Sequence, residues 1–438
     1  MDAMRLPSTG DTIDEAQLQR KAYFQHPEIN RARTELFRAA LDVHASWLKE
    51  VLGLQRFRDQ VMDLGDNLET PKDMSLGLWQ TLFMMVPVIS STFASLGRML
   101  SGVPGQSIGW VLIDEAGQAP PQQAVGALHR AKRSVVVGDP IQILPVVTTS
   151  PSLIDHVMKA LAVDERRAKD PSVQSVQTLA DTANPYGCTI ESLGVETRIG
   201  IPLWVHRRCL DPMFSLSNEI AYAGRMVHGN KAAHPRPHPI FSANSWIDSS
   251  AHDGGASAGK ERQYLPSQGE LIVEMLRRYL ACGGDENELY VISPFKAVKK
   301  GLKERLYANT KLLAEASLWG QSARDQSQKA VKARAAQLGK WVRNEVGTVH
   351  TFQGRENATV VLVIGCDTKN RGAVSWAGSM PNILNVAVTR AKHNLFVIGP
   401  RELWCEQGYF YRMAKKLEVA RSIDDVIVDP MTQQNGLW

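Results

Sequence analysis

Residues 108–119 of the 438-residue chain read IGWVLIDEAGQA, an apolar run that ends at two carboxylates, Asp114 and Glu115. The run RSVVVGD follows the same pattern and ends at Gly138 and Asp139. The stretch between them, PPQQAVGALHRA, predicts a helix. A strand, a helix and a strand in which both strands are apolar throughout indicate a parallel sheet that is covered on both faces. Because ligands of such sheets bind at the carboxyl ends of the strands, these four residues predict a site.

The second half of the chain repeats this α/β pattern. Strands are predicted at 288–295, 358–366 and 394–400, and a strand followed by a turn is predicted at 345–354. A further strand is predicted in the first half, at 87–93. The predicted fold class is therefore α/β, with two parallel-sheet lobes. The expected organisation is a helical segment at 1–85, a first lobe with its connection at 86–200, a second lobe at 201–415 and a tail at 416–438.

The composition excludes several classes of protein. Hydrophobic residues make up 44% and charged residues 22% of the chain, close to the average of a soluble globular protein. The five cysteines include no CxxC pair, which favours a reducing compartment, and we expect a cytoplasmic location. The most apolar stretch, 82–89, contains Pro87 and is too short to cross a bilayer, so no membrane association is expected. The formal net charge of +5 permits a nucleic-acid partner without requiring one.

Asp114 and Glu115 have the chemistry of a nucleotide-hydrolysing site. A carboxylate at the end of a buried strand can hold Mg²⁺, directly or through water, because a hard cation prefers carboxylate oxygen. The adjacent glutamate can then polarise a water molecule for attack on a γ-phosphate. Asp-Glu pairs are common in sequences. The apolar strand before this pair and the Ala-Gly-Gln-Ala after it make it more specific.

With these residues the sequence resembles the superfamily 1 helicases, in the nonsense-mediated-decay and replication branch that moves 5′ to 3′. Five stretches match family motifs in the family's order: DEAGQA (Walker B), GDPIQILPVV (motif III), LWVHRRCLDPMF (motif IV), VGTVHTFQGRE (motif V) and NVAVTRAK (motif VI). The resemblance implies two RecA-like lobes of the P-loop NTPase fold. It also implies ATP and Mg²⁺ as cofactors and single-stranded DNA or RNA as the partner.

The resemblance implies roles for individual residues. It implies that Asp114 is a Mg²⁺ ligand and that Glu115 is the base that activates water. It implies that Gln142 senses the γ-phosphate and that Arg208 and Arg390 stabilise the transition state. Further nucleotide contacts correspond to Gly138, Asp139, Gly354 and Glu356, and nucleic-acid contacts to Ser91, Thr92, Thr348 and His350. Arg207 is an alternative to Arg208, and a helix-capping turn is an alternative interpretation of Ser91 and Thr92. The carboxylates come from the first lobe and the arginines from the second, so lobe closure would couple ATP to movement.

One family motif has no match where it is expected. Nothing between Met1 and Ile113 fits GxxxxGK[ST], the loop whose amides and lysine hold nucleotide phosphates. The near match GGASAGKE, at 254–261, carries a glutamate where Mg²⁺ binding needs Ser or Thr, and is interpreted as a surface turn. Three explanations stay open: a truncated sequence, a loop supplied by a separate upstream chain, and a degenerate relative. We expect the chain alone to hydrolyse ATP weakly or not at all.

The alternative hypothesis is a non-catalytic module, derived from a helicase, that binds nucleic acid or another partner. The basic stretch at 296–343 bears on it, because a solvated helix face and a phosphate-tracking surface both fit its composition. Such a module would bind single strands in a salt-sensitive way that ignores ATP.

Overall fold

The structure is a computed structural model, and it describes residues 14–21, 26–63, 72–163, 170, 174–192, 195–229, 240–251, 263–319 and 327–427. The chain divides into two compact units. The first comprises Met1–Pro140, Leu144–Gly187 and Ile199–Ile201, and the second comprises Ile141–Ile143, Cys188–Arg198 and Pro202–Trp438. The near match at 254–261 lies outside the described residues. Among the described helices, none combines the length and the apolar character that a bilayer crossing requires.

The first unit is mainly helical, with one small sheet. Its elements are α1 (Glu15–Lys21), α2 (Pro27–Leu52), α3 (Gln55–Asp63), α4 (Lys72–Met85), α5 (Phe93–Met99), β1 (Ile108–Ile113), α6 (Pro121–Arg130), β2 (Ala131–Val136), α7 (Pro151–Ala160) and α8 (Val176–Ala183). Strands β1 and β2 pair in parallel, with Ile113 opposite Val136. The predicted strand–helix–strand unit is therefore confirmed.

The expectation that this sheet is covered on both faces is wrong for the described residues. Successive side chains of a strand point to opposite faces. On one face Val111, Ile113 and Val136 pack with buried side chains that include Ala124 and Val176. On the other face Trp110 is 55% exposed and Leu112 is 73% exposed. An apolar run thus predicts the strand correctly, but it does not show what covers each face.

The predicted strand at 87–93 is also wrong. Residues 87–92 have no regular structure, and helix α5 begins at Phe93. Pro87 has no amide hydrogen to donate to a neighbouring strand, which disfavours a position inside a sheet. Thr92 instead occupies the N-cap position of α5.

The second unit is built on a larger sheet. Its elements are β3 (Cys188–Ser192), β4 (Val195–Ile199), β5 (Val205–His206), α9 (Met213–Ala221), β6 (Val227–His228), β7 (Ser245–Asp248), α10 (Pro266–Ala281), β8 (Leu289–Ser293), α11 (Lys296–Ala308), α12 (Thr310–Ser317), α13 (Gln328–Glu345), β9 (Val346–Thr348), β10 (Asn357–Val363), α14 (Arg371–Gly378), α15 (Pro381–Thr389), β11 (Ala391–Gly399), α16 (Arg401–Cys405), α17 (Gly408–Lys416) and β12 (Glu418–Ala420). Six strands form one sheet in the order β12-β7-β11-β10-β8-β9. Every neighbouring pair is parallel. This sheet confirms the predicted α/β fold.

The centre of this sheet is the core of the second unit. All five residues of β8 are buried, and Val361 of β10 and Phe396 of β11 are fully buried. Because the strands are parallel, their first residues share one edge of the sheet and their last residues share the opposite edge. We call these the amino edge and the carboxyl edge. Leu289, the first residue of β8, is level with Thr359 of β10, whereas Ser293, its last residue, is level with Thr348.

Candidate functional site

In the first unit, Asp114 and Glu115 form the tip of strand β1. Asp114 Oδ1 accepts a hydrogen bond of 2.9 Å from the Glu115 backbone N–H. Glu115 has a φ of 52°, a left-handed conformation that turns the chain sharply after the strand. Its carboxylate oxygen Oε2 accepts a hydrogen bond of 2.9 Å from Gln118 Nε2. The two carboxylates are thereby held in different directions at the end of one strand.

The segment after β2 packs directly against this tip. The Ala116 backbone N–H donates to the Val137 carbonyl at 3.0 Å. A Cβ on Gly138 would lie 2.7 Å from the Gly117 nitrogen and 2.8 Å from the Ala116 nitrogen, so only glycine fits there. The structure therefore brings Gly138 and the following Asp139 beside the tip of β1, as the two strand ends predict.

The β1 tip suits Mg²⁺ chemically. The side chain of Asp114 is exposed, and Mg²⁺ is commonly bound through one or two carboxylates while substrate phosphates and water complete its shell. Within the part of the chain that the structure describes, no group of three or more His, Cys, Asp or Glu side chains could hold a metal alone.

In the second unit, charged side chains from three distant segments meet at the amino edge. Glu356, just before β10, forms an ion pair with Arg208, and its Oε1 lies 2.7 Å from Lys392 Nζ at the start of β11. Burial raises the pKa of Glu356, but the hydrogen bond from Lys392 and the charges of Arg208, Lys392 and Arg390 hold it below its ordinary value overall. The side chains of Arg208 and Lys392 remain about 40% exposed, at 41% and 39%. We call Arg208, Glu356, Arg390 and Lys392 the amino-edge cluster.

Arg390 is the buried member of this cluster, with 1% of its surface exposed. Its Nε donates to the Val386 carbonyl at 3.0 Å, and its Nη1 donates to the Arg355 carbonyl at 2.9 Å and to the Phe352 carbonyl at 3.3 Å. Its Nη2 donates to Thr389 Oγ1 at 3.2 Å. The guanidinium therefore ties motif V to motif VI.

Arg208 is held in place by the backbone of its own loop. The Leu210 backbone N–H donates to the Lys392 carbonyl at 3.0 Å, which fastens the loop to the start of β11. The Cys209 backbone N–H donates to His206 Nε2 at 2.8 Å. Burial, the charge of Arg208 and the charge of His228 lower the pKa of His206 to about 4, so this histidine is a neutral acceptor at pH 7. Of the two adjacent arginines, Arg208 is the one that pairs with Glu356.

Gln142 lies in the second unit, although most of the segment around it lies in the first. The Asn385 side chain donates to the Ile141 carbonyl at 3.2 Å, and the Asn382 side chain donates to the Gln142 carbonyl. Both asparagines are on α15, the helix that ends immediately before Arg390. Asn385 also accepts a hydrogen bond of 2.7 Å from Ser217 Oγ. The backbone of the predicted γ-phosphate sensor is thus fixed to the helix that ends just before the buried arginine.

Motif V extends from one edge of the sheet to the other. Thr348 ends β9 at the carboxyl edge, and its Oγ1 is 2.9 Å from Thr351 Oγ1. Glu356 lies at the amino edge, before the first residue of β10. Gly354, between them, has a φ of +78° that favours glycine. Along β8 the amino edge and the carboxyl edge are four residues apart, which corresponds to roughly 13 Å.

The other predicted nucleic-acid residues lie at separate places. His350 follows β9, and its pKa is lowered by burial and by the charge of Lys296 at the start of α11. In the first unit, Ser91 Oγ donates to the Thr92 carbonyl at 3.3 Å and Thr92 Oγ1 donates to Ser95 Oγ at 3.2 Å. Both hydroxyls thus bond locally, and neither caps a backbone amide of α5.

Known protein families match this chain in two regions, which correspond broadly to the two units. Two family models, each described as an AAA domain, match residues 16–150 and 197–402. "Probable helicase senataxin" of Mus musculus is 22% identical over 76% of this chain. "DNA replication ATP-dependent helicase/nuclease DNA2" of Bos taurus is 21% identical over 74% of this chain. The protein of the same name from Schizosaccharomyces pombe is 22% identical over 74%. The chain belongs to the superfamily 1 helicases.

The matched region is a minor part of these helicases. It spans 11% of the senataxin sequence, 28% of the bovine sequence and 21% of the yeast sequence. Within the helicase region, the residues of motifs IV, V and VI that lie far apart in sequence meet at one edge of one sheet.

Sequence reasoning about the helicase motifs missed three residues. Lys392 stands two positions after Arg390 and pairs with Glu356, so its place inside motif VI was the available signal. Asn382 and Asn385 hold the Gln142 segment, and nothing local in the sequence signals a contact with residues so far away along the chain.

Proposed function

We propose that this chain is the motor region of an ATP-dependent helicase or translocase that moves 5′ to 3′ along single-stranded nucleic acid. The observation that carries the proposal is the amino-edge cluster, in which Arg208 and Lys392 pair with one carboxylate and the charge of Arg390 also acts on it. A net positive cluster that is partly exposed suits the polyphosphate of a nucleotide. Phosphoryl transfer depends on such charge stabilisation more than on covalent chemistry.

The two units would contribute different groups to ATP hydrolysis. When bound, Mg²⁺ would neutralise charge on the β- and γ-phosphates, and Asp114 is the residue that would hold it. Glu115 would orient the attacking water, and Gln142 would sense the γ-phosphate. Arg208 would exchange its ion pair with Glu356 for a phosphate oxygen. Arg390 would release its hydrogen bonds to backbone carbonyls, donate to phosphate oxygens instead, and thereby stabilise the transition state.

The nucleic-acid strand would follow the carboxyl edge of the second unit's sheet. Thr348 and His350 are the proposed contacts there, and Ser91 and Thr92 are the proposed contacts in the first unit. Hydroxyl and imidazole groups contact phosphate and sugar, which fixes register without reading sequence. Under this proposal the two ends of motif V would contact two different ligands.

We further propose that the phosphate-binding loop is supplied from outside these 438 residues, with a separate upstream chain as one possible source, and that this chain alone hydrolyses ATP weakly. The exposed face of the β1–β2 sheet, which carries Trp110 and Leu112, supports the proposal because it offers apolar surface beside the β1 tip. A reducing compartment such as the cytoplasm suits the five free cysteines. The second candidate function is a non-catalytic nucleic-acid-binding module, which the burial of Arg390 favours.

One comparison separates these functions. ATP hydrolysis by the purified chain is measured with and without a single-stranded oligonucleotide, for the unchanged chain and for Glu115→Gln. The motor proposal predicts a low rate that rises with the oligonucleotide and is abolished by the substitution. If neither protein hydrolyses ATP and oligonucleotide binding is the same with and without ATP, the motor proposal is contradicted. That result would support the non-catalytic binding module. A high rate without any other chain would contradict the proposal of a separate loop.

A further inference from the structure

Trp376 is a large apolar residue that the fold leaves exposed at the carboxyl edge. It lies on α14, the helix that follows β10, and 55% of its surface is exposed. Its ring centroid lies 6.0 Å from that of Phe295, with 42° between the planes. Phe295 follows β8 at the same edge and is itself buried. The indole therefore lies beside the segment that follows β8.

The ring beneath Trp376 belongs to a row of buried aromatic side chains. Phe295 lies 6.3 Å from Trp404, and Trp404 lies 4.5 Å from Phe410, between ring centroids. Trp404 and Phe410 are fully buried, and Trp404 Nε1 donates to the Gly365 carbonyl at 3.1 Å. Trp376 is thus the exposed end of an aromatic row that is anchored in the core. A ring fixed in this way loses little conformational freedom when a flat ligand stacks on it.

A cationic residue follows the ring on which Trp376 packs. Lys296 directly follows Phe295, and its side chain is exposed. Burial lowers the pKa of His350, and the charge of Lys296 lowers it further. An aromatic face beside a lysine matches a ligand that alternates flat bases with phosphates.

We propose that Trp376 is a stacking platform for a base of single-stranded nucleic acid, while Lys296 attracts the neighbouring phosphate. This inference rests on the proposed function. It adds a contact to a base, whereas the proposed contacts of motif V are to phosphate and sugar only. Stacking accepts every base because each has a π face, so the platform adds affinity without sequence specificity.

The chain offers a matched control in Trp319. This residue is even more exposed, at 75%, but it follows α12, which packs against α10 and α13 rather than lying at a strand end. The test measures fluorescence anisotropy of a labelled oligothymidylate and of an abasic oligomer of the same length. The second probe keeps the phosphates and lacks the bases. Trp376→Ala, Trp376→Phe and Trp319→Ala are compared with the unchanged chain, and circular dichroism checks that each variant is folded.

The proposal predicts that Trp376→Ala binds oligothymidylate at least about fivefold more weakly and binds the abasic oligomer unchanged. Trp376→Phe should retain most of the affinity, and Trp319→Ala should match the unchanged chain. Unchanged binding by Trp376→Ala, or an equal loss for both oligomers, would overturn the stacking role and leave the proposed function standing. If the chain without any substitution binds neither oligomer, the proposed function is overturned, and the stacking platform with it.

Discussion

The two edges of the second unit's sheet hold positive charge in different ways. At the amino edge, Arg390 is buried with its donors satisfied by carbonyl and hydroxyl oxygens, and Arg208 and Lys392 share Glu356. At the carboxyl edge, Lys296 and Trp376 face solvent. A ligand at the amino edge must therefore replace existing protein contacts, whereas a ligand at the carboxyl edge mainly displaces water. This difference predicts that substitutions at the amino edge affect stability as well as binding, and that those at the carboxyl edge affect binding alone.

The largest expected effect on stability is at Arg390. Replacing it with alanine removes four hydrogen bonds and leaves buried carbonyl groups without that donor, so the free energy of unfolding should fall by about 3 kcal/mol or more. Arg390→Lys should also destabilise the protein, because one ammonium group cannot match the planar geometry. Urea unfolding followed by circular dichroism measures both. Arg371→Ala is the control, because its ion pair with Glu406 is exposed and should contribute less than about 1 kcal/mol. Equal losses for Arg390→Ala and Arg371→Ala would refute a structural role for the buried guanidinium.

A smaller effect is expected at the carboxyl edge. Lys296→Gln should weaken oligonucleotide binding several-fold and reduce the slope of log affinity against log salt by about 1, because one phosphate contact is lost. Its free energy of unfolding should stay within about 0.5 kcal/mol of that of the unchanged chain. Titrations at several salt concentrations measure the slope. An unaltered slope would show that the strand does not pass Lys296.

The smallest effect concerns the pH dependence of the amino-edge cluster. The pKa of Glu356 is lowered in the folded state, so its ion pairs stabilise the protein above the unfolded value of about 4.3. That contribution should be lost as the pH falls through the lower folded pKa. Because the pairs are partly exposed, it should be below about 1 kcal/mol. Unfolding of the chain and of Glu356→Gln at pH 7 and at acid pH measures it. The difference in the free energy of unfolding between the two proteins should shrink on acidification. A difference that grows would contradict the predicted direction of the pH dependence.

The contrast between the edges could be predicted only in part. Strands β8, β10 and β11 were predictable because fully buried strands read as continuous apolar runs. The burial of Arg390 was not, because it depends on carbonyls of Phe352 and Arg355 that only the tertiary fold brings to it.

A further feature depends equally on distant residues. The exposure of the β1–β2 sheet could not be read from its apolar runs, because local sequence does not specify what packs against each face.

Arg208→Ala tests the separation of the two edges most directly. Binding of a fluorescent ATP analogue and of a labelled oligothymidylate is measured on the same preparation of this variant. The account predicts that affinity for the nucleotide falls at least about tenfold, the equivalent of one charge-assisted hydrogen bond, while affinity for the oligonucleotide is unchanged. An unchanged nucleotide affinity together with weaker oligonucleotide binding would place the oligonucleotide, and not the nucleotide, at the amino edge and contradict the account.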